Sequence, residues 1–242
     1  MTELLYQIDS YIREFDAQVV GVNEEIHAIQ LNKTCLYPGG GGQPFDKGIL
    51  SMEGTDIGFT RARMVSGEHW HVLKTDSSLP IIGSTVHGEL DWEYRHQLMR
   101  THTAMHALCG VIFRDYGAHV TGGDMQALQA RMDFEFESMT RELVEVIEEA
   151  VNKEIQLNHP IRVQILPREE AFQIPDLIRT KINLLPEGIT QIRTVEIVGL
   201  DLQADGGTHV SQTSEVGHIR ISDYKSKGKI NKRIYVSVEN TP

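Results

Sequence analysis

Cysteine is scarce in this chain: Cys35 and Cys109 are the two among 242 residues. They provide no disulfide framework, and a reduced, cytoplasmic setting follows as the simplest expectation. Long apolar runs are missing as well. No stretch approaches the roughly 20 residues that a membrane-spanning helix needs, so no membrane partner is expected. The first residues, Met1-Thr-Glu-Leu-Leu-Tyr-Gln7, carry neither a basic nor an apolar leader segment, so no signal peptide is expected. Positive charge is in deficit, with 23 Lys and Arg against 34 Asp and Glu and a net charge of -11. That argues against a protein that coats nucleic acid without specificity, although it leaves room for a local basic patch. Internal repeats and low-complexity tracts are absent too. What remains is an ordinary globular composition, 40% hydrophobic and 24% charged, in a chain long enough for one large domain or two small ones.

The first ninety residues read as β-rich. Val19-Val-Gly-Val22, Ile26 to Leu31, Lys47-Gly-Ile-Leu50, His69 to Leu73 and Thr85 to Leu90 are short strand candidates separated by Gly, Asn and Ser. That spacing predicts a small glycine-rich β-barrel over residues 1–89. The character changes near Leu90-Asp91. From Trp92 to about Tyr116 there is no proline and one glycine, and Leu98, Met99, Met105, Leu108, Ile112 and Phe113 recur at helical spacing. Thr121-Gly-Gly-Asp124 reads as a break, and Leu128 to Phe136 as a strand. Thr140 is a candidate N-cap for a helix whose apolar stripe is Leu143, Val144, Ile147, Val151 and Ile155, ended at His159-Pro160. Strands are expected at 161–166, 191–198, 214–221 and 233–238, with a short helix at 169–172. Residues 90–242 are therefore α+β, an antiparallel sheet with helices.

Chemistry concentrates in the long helix. His102 and His106 stand four apart and share one helical face, so two imidazoles can reach one metal ion. Such pairs also arise by chance, with core or capping roles. About a hundred residues later comes Ala204-Asp-Gly-Gly-Thr-His209, where two glycines allow a tight turn and offer His209 as a third ligand. Catalytic zinc commonly takes three protein ligands and keeps one position open. Asp205 is a fourth ligand, a supporting partner or base, or a plain turn residue.

Two further segments carry weaker signals. Tyr37-Pro-Gly-Gly-Gly-Gly-Gln43-Pro-Phe45 lacks the Lys-Ser/Thr of a P-loop, so no ATP site is expected. It reads either as a flexible hairpin or as a loop whose Gln43 amide meets a bound polar group. Lys225 to Arg233 carries five positive charges (Lys225, Lys227, Lys229, Lys232, Arg233) and no negative one. It is either a solvated hairpin or a nucleic-acid contact.

Taken in order, Thr34-Cys-Leu-Tyr-Pro-Gly-Gly-Gly-Gly-Gln-Pro44, His102-Thr-Ala-Met-His106, Asp201-Leu-Gln-Ala-Asp-Gly-Gly-Thr-His-Val210 and Lys225-Ser-Lys-Gly-Lys229 resemble the AlaX family. These are freestanding relatives of the alanyl-tRNA synthetase editing domain. The resemblance covers almost the whole chain and is closest to the medium-length form, without a C-terminal oligomerisation extension. The His-x-x-x-His and Gly-Gly-Thr-His pairing is shared with the wider editing superfamily, which includes threonyl-tRNA synthetase, and the glycine segment with Thr34 narrows it to the alanyl branch. The resemblance implies an editing domain of the second-additional-domain type. It also implies one zinc ion per chain held among the histidines near the 3′-terminal adenosine. The implied activity is hydrolysis of the ester in mischarged tRNA(Ala), chiefly Ser-tRNA(Ala) and also Gly-tRNA(Ala). Thr34 would read the serine hydroxyl, Gln43 would contact the aminoacyl end, and the basic tail would meet the tRNA acceptor end. A site that hydrogen-bonds a substrate hydroxyl rejects the analogue lacking it, which would spare alanine. The family usually shows Cys-Gly-Gly-Thr-His, and this chain has Asp205 in the cysteine's place. Two rivals stay open: a tRNA-binding homologue without hydrolysis, and a metal-dependent hydrolase of a small ester or amide.

Overall fold

The computed structural model describes residues 2–180 and 188–240. Contacts divide the chain into two compact units, Met1–His96 and Gln97–Pro242.

The first unit is built on a seven-stranded sheet. In spatial order its strands are Thr55–Asp56, Gly48–Met52, Thr85–Leu90, Glu14–Asn23, Ala28–Leu31, Glu68–Leu73 and Phe59–Val65. Every neighbouring pair is antiparallel. The period-2 pattern explains the central strand: Phe15, Ala17 and Val19 point into the core while their neighbours face out. Val20 bulges where the register shifts between Val19 and Gly21, and pairing passes there from Thr85–Leu90 to Ala28–Leu31. Leu31, Leu36, Leu50, Leu73 and Val86 fill the core.

The expected glycine-rich barrel is corrected here: the sheet is open. Its two end strands, Thr55–Asp56 and Phe59–Val65, are separated by Ile57-Gly58 alone, and no ladder joins them. The connecting residues spend their backbone groups elsewhere. Ile57 donates to the Leu50 carbonyl, and the Gly58 carbonyl accepts from Lys74. Gly39 to Gly42 all lie at positive φ in the turn that Gly40 and Gln43 close, a conformation side chains resist. The loop's far end is locked by Asp46, which accepts from the Tyr37 amide and pairs with Arg95, both carboxylate and guanidinium fully buried.

Helix α1, Trp92–Tyr116, has the bounds its apolar spacing predicts. Residues 98–112 are buried without interruption, so this is a central helix rather than a surface one. In the second unit an antiparallel sheet orders Val120–Gln126, Gln129–Glu135, Asn231–Glu239 and His218–Ser226. Another orders Ile161–Pro167, Gln191–Ile197 and Asp201–Ala204. Helix α2, Arg141–Gln156, starts where Thr140 Oγ1 accepts from the Leu143 amide at 3.2 Å. It docks through Asn152, whose amide group bonds both the N–H and the C=O of Ile219. The short helix α3 is Arg168–Ala171.

Two local expectations differ. Thr121-Gly-Gly-Asp124 does not break the chain. It lies inside a strand as a bulge, with Gly122 and Gly123 paired to Asp133 and Met132. The 214–221 stretch starts as a 3-10 turn over Thr213–Val216, and Gly217 at φ 89° turns it into the strand from His218.

Candidate metal centre

His102 and His106 lie one turn apart on the buried middle of α1, ring centroids 5.1 Å apart. The strand Asp201–Ala204 leads into Asp205, and the Gly206-Gly207 turn brings His209 back to the helix. Its ring lies 4.2 Å from His102 and 4.7 Å from His106. One ligand atom from each of His102, His106, Asp205 and His209 lies within 4.8 Å of all the others. Three imidazoles and a carboxylate, nearly buried together, form a donor set that suits a zinc-type ion.

The outer ring nitrogens are held. His106 Nδ1 is 3.1 Å from Asp201 Oδ2, and Asp201 is fixed in turn by Gln203 at 2.7 Å and Arg179 at 3.4 Å. His209 Nδ1 lies 3.1 Å from the Thr103 hydroxyl, which also accepts from the Val210 amide. Partners of this kind set the tautomer that aims the other nitrogen at a metal. The glycine in α1 has a role here. A Cβ on Gly110 would sit 3.0 Å from Asp201 Cβ and 3.1 Å from the Leu200 carbonyl, so its absence lets the Asp201 backbone come close to the helix.

Asp205 is bound from three sides. Its Oδ2 accepts from the Gly207 amide at 2.8 Å and lies 3.0 Å from His209 Nε2, while Oδ1 is 3.5 Å from His102 Nε2. Arg193 donates to the Asp205 carbonyl at 3.0 Å, with its guanidinium 3.6 Å from Oδ2. Burial would raise the Asp205 carboxyl, but the surrounding His102, His209 and His106 hold it well below the usual carboxylate range. Burial pushes His102 down to about 4, with Asp205 only partly opposing. His106 goes the other way: burial lowers it, and the Asp201 bond and charge outweigh that. An ionised carboxylate and a neutral His102 are in the form that metal ligands require.

The other sequence candidates lie elsewhere. Thr34 and Gln43, both buried, belong to the first unit. Lys227 and Lys229 are exposed at the turn between the last two strands. Lys225 pairs with Asp223 at 3.2 Å. Lys232 is buried and donates to the Gly228 and Lys229 carbonyls, and Arg233 makes two bonds to Asp133. Sequence reasoning left Asp201, Thr103 and Arg193 without roles. Asp201 stands four residues before Asp205 and Thr103 sits beside His102, so proximity to the ligands was the available signal for both. Nothing local marks Arg193.

The α+β unit thus carries three buried histidines and a half-buried aspartate in a cluster that could hold a metal ion. Residues 192–235 match the model of the threonyl and alanyl tRNA synthetase second additional domain, and residues 6–94 that of class II (A) tRNA synthetases. The chain belongs to the AlaX-M family of alanyl-tRNA editing proteins. It is 41% identical to the Alanyl-tRNA editing protein AlaX-M of Saccharolobus solfataricus over 99% of this chain and 100% of the relative. The Methanosarcina acetivorans protein of the same name is 35% identical over 98% of this chain and 99% of its own length. An alanine–tRNA ligase from Ignicoccus hospitalis is 39% identical over 91% of this chain, which covers 24% of the ligase. No helix among the described residues is long and apolar enough to cross a membrane.

Proposed function

We propose that this chain is a cytoplasmic trans-editing deacylase that hydrolyses the ester of mischarged tRNA(Ala), Ser-tRNA(Ala) foremost and Gly-tRNA(Ala) beside it. The observation that carries this reading is the His102, His106, His209 and Asp205 cluster, in a chain whose full-length relatives are named alanyl-tRNA editing proteins. In this reading residues 1–89 and 90–242 are its two domains.

The four clustered residues would hold one zinc ion, which supplies Lewis-acid polarisation of the ester when bound. The protein's own contribution is orientation. Asp201 fixes His106 and Thr103 fixes His209, so the donors are set before substrate arrives. A cysteine nucleophile is not supported: burial pushes the Cys35 thiol up to about 12 and Cys109 higher still, far from a thiolate at neutral pH. Thr34 and Gln43 are the proposed contacts to the aminoacyl end. Of the basic run, Lys225, Lys227 and Lys229 are the proposed phosphate contacts, while Lys232 and Arg233 act by shaping the hairpin.

The test is deacylation of Ser-, Gly- and Ala-tRNA(Ala) with metal content assayed on the same sample. Loss of serine with alanine retained is expected. Binding of tRNA without hydrolysis by the metal-loaded protein would overturn the reading in favour of a binding homologue.

A further inference from the structure

Two histidines that the proposed mechanism does not use stand on one face of the strand Glu68–Leu73. His69 and His71 are 2% and 0% exposed, and their rings are 4.8 Å apart. Both grip the segment that begins at Thr34. His69 Nε2 lies 3.0 Å from the Leu36 carbonyl, and His71 Nε2 lies 3.0 Å from Thr34 Oγ1. The Leu36 amide donates to the same Oγ1 at 3.1 Å. Among the described residues neither Nδ1 has a hydrogen-bond partner. Burial holds both rings neutral, His69 at about 4 and His71 well below its ordinary value.

A neutral imidazole has one N–H and one bare nitrogen. His69 faces a carbonyl, so its proton is on Nε2. For His71 the two tautomers differ in what they leave unpaired. With the proton on Nε2, that N–H and the Leu36 N–H fill Thr34 Oγ1, and the threonine O–H is left without an acceptor beside an empty Nδ1. With the proton on Nδ1, the threonine O–H donates to Nε2 and one ring N–H alone is unpaired. The second arrangement strands fewer buried groups.

We propose that His71 is a positioning residue for hydroxyl recognition. By accepting the Thr34 O–H, it leaves one lone pair on Oγ1 as the only free function of that side chain. Thr34 is then an acceptor, and the group it favours is a donor such as the serine O–H; the methyl of alanine offers nothing to it. This rests on the reading that Thr34 meets the aminoacyl group.

The experiment has two arms on the full chain. Nitrogen-15 NMR of the histidines, assigned with His69→Gln and His71→Gln, is expected to show opposite tautomers, Nε2–H for His69 and Nδ1–H for His71. An Nε2–H signal from His71 overturns the proposal. Deacylation of Ser-tRNA(Ala) is then compared across Thr34→Val, His71→Phe and His71→Gln. The expected result is a loss of about tenfold in kcat/KM for His71→Phe, the scale of one mispaired hydrogen bond, with recovery in His71→Gln, whose amide oxygen can accept. If Thr34→Val loses activity and His71→Phe does not, the proposal fails and the Thr34 reading survives. If Thr34→Val is as active as the unaltered protein, the Thr34 reading fails and the proposal with it.

Discussion

Asp201 reaches across 95 positions of sequence to meet His106, its Oδ2 3.1 Å from the Nδ1 of the ring, with the carboxylate fully buried. This contact decides which nitrogen of His106 is free to bind. Asp201→Ala should weaken metal binding by about ten- to a hundredfold, the usual cost of losing such a partner. A competition titration against a chromogenic chelator at fixed pH reads this directly. An unchanged affinity would remove Asp201 from the account of the centre.

Asp205 invites the opposite manipulation. It stands where the resemblance to the AlaX family implies a cysteine, and its carboxylate lies within the cluster. Asp205→Ala should lower metal affinity, and Asp205→Cys should restore it with a softer donor and a stronger preference for zinc. Cobalt substitution distinguishes a ligand from a bystander. A thiolate charge-transfer band in Asp205→Cys marks position 205 as a ligand; its absence, with the three histidines still binding, assigns Asp205 to support.

How much of this was legible in the sequence follows from the range of each interaction. Helix α1, the Thr140 cap and the three histidines could be read because their signals are local: apolar spacing, a hydroxyl before a helix, a glycine pair before His209. The role of Asp201 was not readable, because it depends on Gly110 letting a strand approach one turn beyond His106. Arg193 is set by strand pairing, with Thr194 opposite Ala204. The open sheet was misjudged as a barrel for a similar reason. Strand count was visible, but closure depends on where Ile57 and Gly58 place their backbone hydrogen bonds. The basic run also divides only in three dimensions, since Asp133 claims Arg233 from a hundred residues away.

Asn152 ties α2 to the neighbouring strand by satisfying both backbone groups of Ile219. Replacing it with alanine strands a buried N–H and C=O together. The expected loss is about 2–4 kcal/mol of unfolding free energy, since each unpaired group costs roughly 1–3 kcal/mol. Denaturant unfolding followed by far-ultraviolet circular dichroism checks it. A loss under about 0.5 kcal/mol, the scale of a surface substitution, would show that water replaces the amide.

The buried His69 makes the first unit sensitive to acid. Its ring titrates at about 4 in the folded chain because burial disfavours the charged form, and near 6.5 when unfolded. Above about pH 6.5 both states are neutral and the stability is fully present. Between roughly 6.5 and 4 the unfolded chain takes up a proton that the folded chain refuses, so stability falls with pH across that window. The whole shift corresponds to roughly 3 kcal/mol, to order of magnitude. Both tryptophans, Trp70 and Trp92, lie in this unit, so their fluorescence during urea unfolding reports on it. The difference in stability between about pH 7 and pH 5 should shrink in His69→Gln, which cannot titrate. An equal pH dependence in the two proteins would assign the acid sensitivity to other groups.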